Sequence, residues 1–147
     1  MDEQTLTPFS APVAPEAAPS TPVPSAKGIV LVVEDEKPLA HALEMKLKHE
    51  GYNVKVVMNG EEAIAELKNP GYGMMLLDLI MPRVDGFTVL NEMKSNNISM
   101  PVIVLSNLGQ EEDRKKAKEL GAADYFVKSN TPIADIVTRV KALLPPA

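Results

Sequence analysis

Five side chains suited to phosphate and metal chemistry stand at the ends of short apolar runs. Glu34 and Asp35 follow Gly28-Ile-Val-Leu-Val-Val33, and Asp78 follows Met74-Met-Leu-Leu77. Ser106 closes Pro101-Val-Ile-Val-Leu105, and Lys128 closes Asp124-Tyr-Phe-Val127. Three carboxylates brought together repel one another, which raises their pKa values unless a cation joins them. With oxygen ligands only, and neither His nor Cys, that cation is a hard one: Mg²⁺, with Mn²⁺ as a substitute. A metal and an ammonium neutralise phosphoryl oxygens, and a hydroxyl donates to a third. A carboxylate among them can attack phosphorus and form an acyl phosphate.

Taken singly, each residue has an ordinary reading. An acid after a strand is commonly a helix cap, a lysine is commonly on the surface, and a serine is commonly in a turn. The coincidence of all five with strand ends favours a phosphoryl and metal site. His41 and His49 lie eight residues apart with no partner histidine, so they read as solvated surface positions.

The elements that bring the five together follow from hydrophobic patterning. The unbroken apolar runs suit strands buried on both faces. Between them, apolar residues recur at helical spacing: Leu39, Leu43 and Leu47; Ala63, Ile64 and Leu67; Phe87, Leu90 and Met93; Ile133, Ile136, Val137, Val140 and Leu143. Gly51 and Gly121 stop helices, Asn59-Gly60 starts one, and Asn69-Pro70-Gly71 breaks one. The segment Val84 to Ser95 reads as a helix, Gln110 to Leu120 as a charged helix, and Thr131 as the cap of the last one, with Pro132 in its first turn. Tyr52 to Val57 completes the strands. Five strands alternating with five helices predict a doubly wound α/β domain, the flavodoxin-like (βα)5 three-layer sandwich. Its parallel sheet has the order 2-1-3-4-5. Ligands of such a sheet sit at the carboxyl ends of the strands, at the switch point between strands one and three.

The motifs Val32-Val-Glu-Asp-Glu36, Leu76-Leu-Asp-Leu-Ile-Met-Pro82, Val104-Leu-Ser-Asn107 and Gly121-Ala-Ala-Asp-Tyr-Phe-Val-Lys128 resemble the signature of the receiver (CheY-like) domain of two-component response regulators. The resemblance runs from about Gly28 to Leu144. It implies that Asp78 accepts a phosphoryl group from a histidine kinase or histidine phosphotransfer protein. It implies Mg²⁺ ligation by Asp35, Asp78 and the backbone carbonyl of Ile80, with Glu34 acting through water. It implies that Ser106 and Lys128 contact the phosphoryl oxygens, and that Tyr125 is an aromatic switch that moves with Ser106. Ile80 and Leu108 take the two variable positions past which the hydrolytic water reaches the acyl phosphate. Both are apolar, which predicts slow loss of the phosphoryl group.

Two positions depart from the family pattern. The family usually follows its lysine with proline in a cis peptide. Here Ser129 follows Lys128, and a cis bond before a non-proline residue costs about 3 kcal/mol, so the isomer is left open. The residue after Ser106 is commonly alanine. Here it is Asn107, an amide that either narrows access to the phosphoryl group or hydrogen-bonds to it.

Composition bounds the rest. The chain has 147 residues, enough for one domain. Residues 1–26 carry six of the 13 prolines and no Lys or Arg, and read as a disordered Pro/Ala-rich leader. Residues 27–147 then form the receiver, with a charge near −2 that gives no electrostatic case for binding nucleic acid. The absence of cysteine excludes disulfides and thiol chemistry, and no apolar run approaches a bilayer span. The expectation is a cytoplasmic, non-enzymatic regulator, either a stand-alone receiver or a receiver excised from a longer protein, a monomer or a phosphorylation-dependent dimer. It signals by protein contact through the last two helices and the strand between them, a surface including Lys116, Asp124 and Tyr125. Two rivals are a pseudo-receiver that binds without being phosphorylated and a phosphatase with an aspartyl-phosphate intermediate. Haloacid dehalogenase-like phosphatases carry a second Asp two residues after the nucleophile, where this chain has Ile80.

Overall fold

The computed structural model describes residues 28–145, so the expected leader lies outside the described residues. The strands are β1 (Ile29–Val33), β2 (Asn53–Val57), β3 (Tyr72–Leu77), β4 (Val102–Ser106) and β5 (Asp124–Val127). The helices are α1 (Lys37–His49), α2 (Gly60–Glu66), α3 (Gly86–Ser95), α4 (Glu111–Glu119) and α5 (Ile133–Leu143). The strands form one parallel sheet in the order β2-β1-β3-β4-β5. This is the expected flavodoxin-like order.

Alternation along the strands divides the core in two. Leu31, Val33, Met75, Leu77, Val102 and Val104 face α2, α3 and α4, meeting Ala63, Val89, Leu90, Met93 and Ala117. Val30, Val32, Met74, Leu76, Ile103 and Leu105 face α1 and α5, meeting Leu43, Leu47, Ile136, Val137 and Val140. With both faces covered, the interiors of the central strands are near-continuous apolar runs, as buried parallel strands usually are, and β4 reaches a polar residue only at its end, Ser106. The register aligns Val33 with Val57 on one side and with Leu77 on the other. Glu34 and Asp78, the residues that follow Val33 and Leu77, therefore leave the sheet side by side.

Helix starts differ from the sequence reading in two places. Helix α3 begins at Gly86 rather than Val84, because the Asp85 side chain accepts the Thr88 N–H at 2.9 Å and caps the helix there. Gly86 also has to be glycine: a Cβ would stand 2.4 Å from the Asp78 carbonyl oxygen and 2.8 Å from Leu79 Cα. The start of α3 thus packs directly on the Asp78 backbone. Thr131 does not cap α5. Its hydroxyl donates to the Val127 carbonyl at 2.9 Å, closing a 3₁₀ turn at Lys128–Asn130, and Pro132 precedes α5 without a side-chain cap.

Candidate functional site

At the carboxyl edge of the sheet, Glu34, Asp78 and Ser106 are 1%, 3% and 0% exposed. Carboxylate oxygens of Glu34, Asp35 and Asp78 all lie within 4.8 Å of one another. The Lys128 ammonium reaches in from the end of β5. It lies 2.9 Å from Asp78 Oδ2, 2.9 Å from Glu34 and 2.8 Å from Glu36 Oε2. Of the five residues expected at the site, the fold thus brings Glu34, Asp35, Asp78 and Lys128 together, and Ser106 closes the adjacent strand β4.

Electrostatics follow from this crowding. Burial, only partly offset by the Lys128 hydrogen bond, pushes the Glu34 carboxyl up from 4.5 to about 7. Burial likewise raises the Asp78 carboxyl, against the Lys128 ammonium and a backbone N–H from Ile80. Burial opposes the charge on Lys128, but its hydrogen bonds to Glu36, Glu34 and Asp78 outweigh that and hold the ammonium protonated more firmly than usual. One cation thus serves a cluster of carboxylates, two of them buried. Glu34 Oε1 is buried and makes no hydrogen bond of proper geometry, although Lys128 Nζ is 2.9 Å away. An all-oxygen donor set with a spare buried carboxylate oxygen fits a hard divalent cation.

Backbone groups aim the acids. The Glu36 N–H donates to Glu34 Oε2 at 3.1 Å, and the Ile80 N–H donates to Asp78 Oδ1 at 3.2 Å. The Ile80 side chain itself is 56% exposed. On the other side of the site, Ser106 Oγ accepts the Leu108 N–H at 3.2 Å. Tyr125 is buried, and its hydroxyl donates to the Leu108 carbonyl. Asn107 does not face the acids with its oxygen: Oδ1 accepts the Ser129 N–H at 3.2 Å. No peptide bond among the described residues is cis, so Lys128–Ser129 is trans.

Several participants were not singled out from the sequence. Glu36 is a partner of Lys128, and the only hint was its place in a run of three acids. Arg114 lies over the Tyr125 ring at 4.9 Å, and no spacing rule links a helix residue to an aromatic eleven positions later. Lys116, expected on the signalling surface, is exposed on α4 and lies over the Phe87 ring of α3 at 4.4 Å. A groove of about 610 Å³ between α4 and β5 is lined by Arg114, Lys115, Lys118, Asp124 and Tyr125. His41 and His49 are exposed, as expected.

This geometry coincides with a family match: the model of the response regulator receiver domain covers residues 30–141. The chain belongs to the response regulator receiver family. Among curated relatives, the receiver is 40% identical over 115 residues to the transcriptional regulatory protein ResD of Bacillus subtilis, covering 78% of this chain and 47% of ResD. It is 34% identical over 118 residues to the uncharacterized transcriptional regulatory protein YkoG of the same organism, covering 80% of this chain and 51% of YkoG. The chain thus spans about half the length of these relatives. Among solved structures, it is similar to the receiver domain of the Francisella response regulator 1452, with a TM-score of 0.75 and 31% identity. That match covers 80% of this chain and 96% of the other. Receiver domains generally bind Mg²⁺ through acidic residues and interact with histidine kinases, and this receiver carries the acidic cluster.

Proposed function

We propose that this receiver accepts a phosphoryl group on Asp78, and that residues 27–147 are the unit that does so. The observation that carries the reading is the Lys128 ammonium 2.9 Å from Asp78 Oδ2, beside buried Glu34 and the more exposed Asp35. An Asp78 carboxylate oxygen attacks the phosphorus of a phosphohistidine. The P–N bond breaks, the imidazole leaves with its electron pair and takes a proton from solvent, and an acyl phosphate forms on Asp78. Lys128 moves with the charge, from the carboxylate to a phosphoryl oxygen, and the Ser106 hydroxyl donates to another. Glu34, Asp35, Asp78 and the Ile80 carbonyl would hold Mg²⁺ or Mn²⁺. That ion supplies charge neutralisation to the incoming phosphoryl oxygens.

In this reading the chain is a phosphoacceptor rather than a turnover enzyme. No helix among the described residues is long and apolar enough to cross a membrane, and the reading places the receiver in the cytoplasm. Output leaves by protein contact at the face of α4, β5 and α5. The net negative charge of the receiver gives it no basis of its own for gripping DNA. Its relatives named above are transcriptional regulators, so any DNA contact would come from other segments or partners.

Incubation with acetyl phosphate and Mg²⁺, read by intact mass, tests the assignment. We expect one added phosphoryl mass, dependent on the divalent ion and abolished by Asp78→Asn. No added mass would leave a binding module without phosphorylation. Full labelling of the Asn variant would move the acceptor elsewhere.

A further inference from the structure

The pairing of β4 with β5 ends at Ser106 opposite Val127. Beyond that pair the two strands diverge, one toward α4 and the other into the 3₁₀ turn at Lys128–Asn130. The two side chains expected to grip a phosphoryl group, Ser106 and Lys128, leave the sheet at this divergence. No backbone pairing holds their relative position further out. Tyr125 ties Leu108 back to β5 itself, and one hydrogen bond joins the two segments beyond the last pair: the Ser129 N–H donates to Asn107 Oδ1 at 3.2 Å. It acts as one more rung of the sheet, made with a side chain.

The two residues that depart from the family pattern are thus the two ends of one bond. A proline after the lysine has no N–H to donate, and an alanine after the hydroxyl residue has no acceptor. Asn107 together with Ser129 supplies both. Because a backbone N–H only donates, the amide oxygen is committed to it and is not available to repel an anionic phosphoryl group. Both residues are exposed, so water can replace either partner at little cost in stability. What water cannot replace is the fixed distance between the two loops.

We infer that Asn107 is a positioning residue, whose amide clasps the Ser106 loop to the residue after Lys128 so that hydroxyl and ammonium reach the phosphoryl group together. The inference rests on the phosphoacceptor reading above. The test measures phosphoryl uptake from acetyl phosphate with Mg²⁺ on the full chain. Asn107→Leu keeps the bulk and removes the acceptor, and Ser129→Pro removes the donor. Each should slow uptake roughly three- to tenfold, the span of one hydrogen bond. The double variant should be no slower than either single one, because both delete the same bond. Ser129→Ala keeps the N–H and should match the wild type. A role in stability alone would move the urea midpoint, which we expect to stay in place. Amide exchange should show Asn107→Leu losing protection at Ser129. Uptake by Asn107→Leu at the wild-type rate, or effects that multiply in the double variant, would overturn the clasp. A wild type that takes up no phosphoryl group would overturn the phosphoacceptor reading, and the clasp's role with it.

Discussion

The two halves of the site are held by different forces. The half built on β1 and β3 gathers Glu34, Asp35 and Asp78, with one ammonium, Lys128, paired to Glu34 and Asp78. The half built on β4 and β5 is held by neutral bonds. The Leu108 N–H bonds to Ser106 Oγ, the Tyr125 hydroxyl to the Leu108 carbonyl, and the Ser129 N–H to Asn107. Buried like charges strain their surroundings by several kcal/mol per ion unless paired. Neutral hydrogen bonds contribute about 1 kcal/mol each and exchange readily. The difference assigns the work: the acidic half supplies the driving force for taking in cations and a phosphoryl group, and the neutral half sets the positions of Ser106 and Lys128 through bonds weak enough to exchange.

We expect Ile80 and Leu108, two residues after Asp78 and Ser106, to act as the seam between the halves, and changing them should have the largest effect. Ile80 is 56% exposed and Leu108 half-buried. Neither can orient a water or take its proton in attack on an acyl phosphate. A lost positioning group is worth roughly ten- to a thousandfold in rate. Phosphorylated wild type in Mg²⁺ should therefore decay more slowly than the variant Ile80→Asn with Leu108→Glu by a factor in that range. Equal decay would mean that the seam does not control the water, and that the two apolar residues serve packing against a partner.

The acidic half should reveal itself in the pH dependence of stability of the metal-free protein. Glu34 has its pKa raised from 4.5 to about 7 by burial. The folded state therefore binds more protons than the unfolded chain between those values, and stability falls as pH rises through that window. Above about 7 both states are ionised and the loss is complete, at most about 3 kcal/mol. With chelator present, thermal midpoints should drop from pH 4.5 to 7.5 in the wild type and drop less in Glu34→Gln. Added Mg²⁺ should return the wild type toward its acidic-pH stability. A flat wild-type profile would show that Lys128 already neutralises the cluster, and the contrast between the halves would fail.

The legibility of these halves in the sequence was unequal for a related reason. Strands buried on both faces have to be apolar throughout, so Val30–Val33, Met74–Leu77 and Val102–Leu105 announced themselves, and with them the residues at their ends. The acids and the lysine were visible because charge at the end of such a run is conspicuous. The bonds of the neutral half were not. An amide such as Asn107 has many partners open to it, and its partner Ser129 N–H is a backbone group that no residue type marks. The same holds for Thr131, whose hydroxyl turned back to Val127 rather than forward to α5, since both bonds cost a threonine nothing in sequence. Glu36 was read as one of a run of acids, yet its bond to Lys128 spans 92 positions and depends on the whole sheet being in place.

The smallest effect should come from Tyr125→Phe, and it tests whether the halves are separable. The change removes the hydroxyl that donates to the Leu108 carbonyl but leaves the ring, which Arg114 covers at 4.9 Å. The Leu108 carbonyl sits in a half-buried loop where water can take over, so the cost should be about 1 kcal/mol or less in urea unfolding. The hydroxyl's bond is to a backbone oxygen of the neutral half rather than to Glu34, Asp35 or Lys128. The driving force for phosphoryl uptake resides in those charges. Uptake at Asp78 should therefore stay within about twofold of the wild type, since the charges and the Asn107–Ser129 bond are both untouched. What should change is the response of the neutral half: the NMR shifts that phosphorylation induces around Leu108 and in α4 should shrink, because the tie from β5 to that loop is gone. Uptake that fell in step with the lost hydrogen bond would show that the Tyr125 tie, like the Asn107–Ser129 clasp, positions the groups that grip the phosphoryl group.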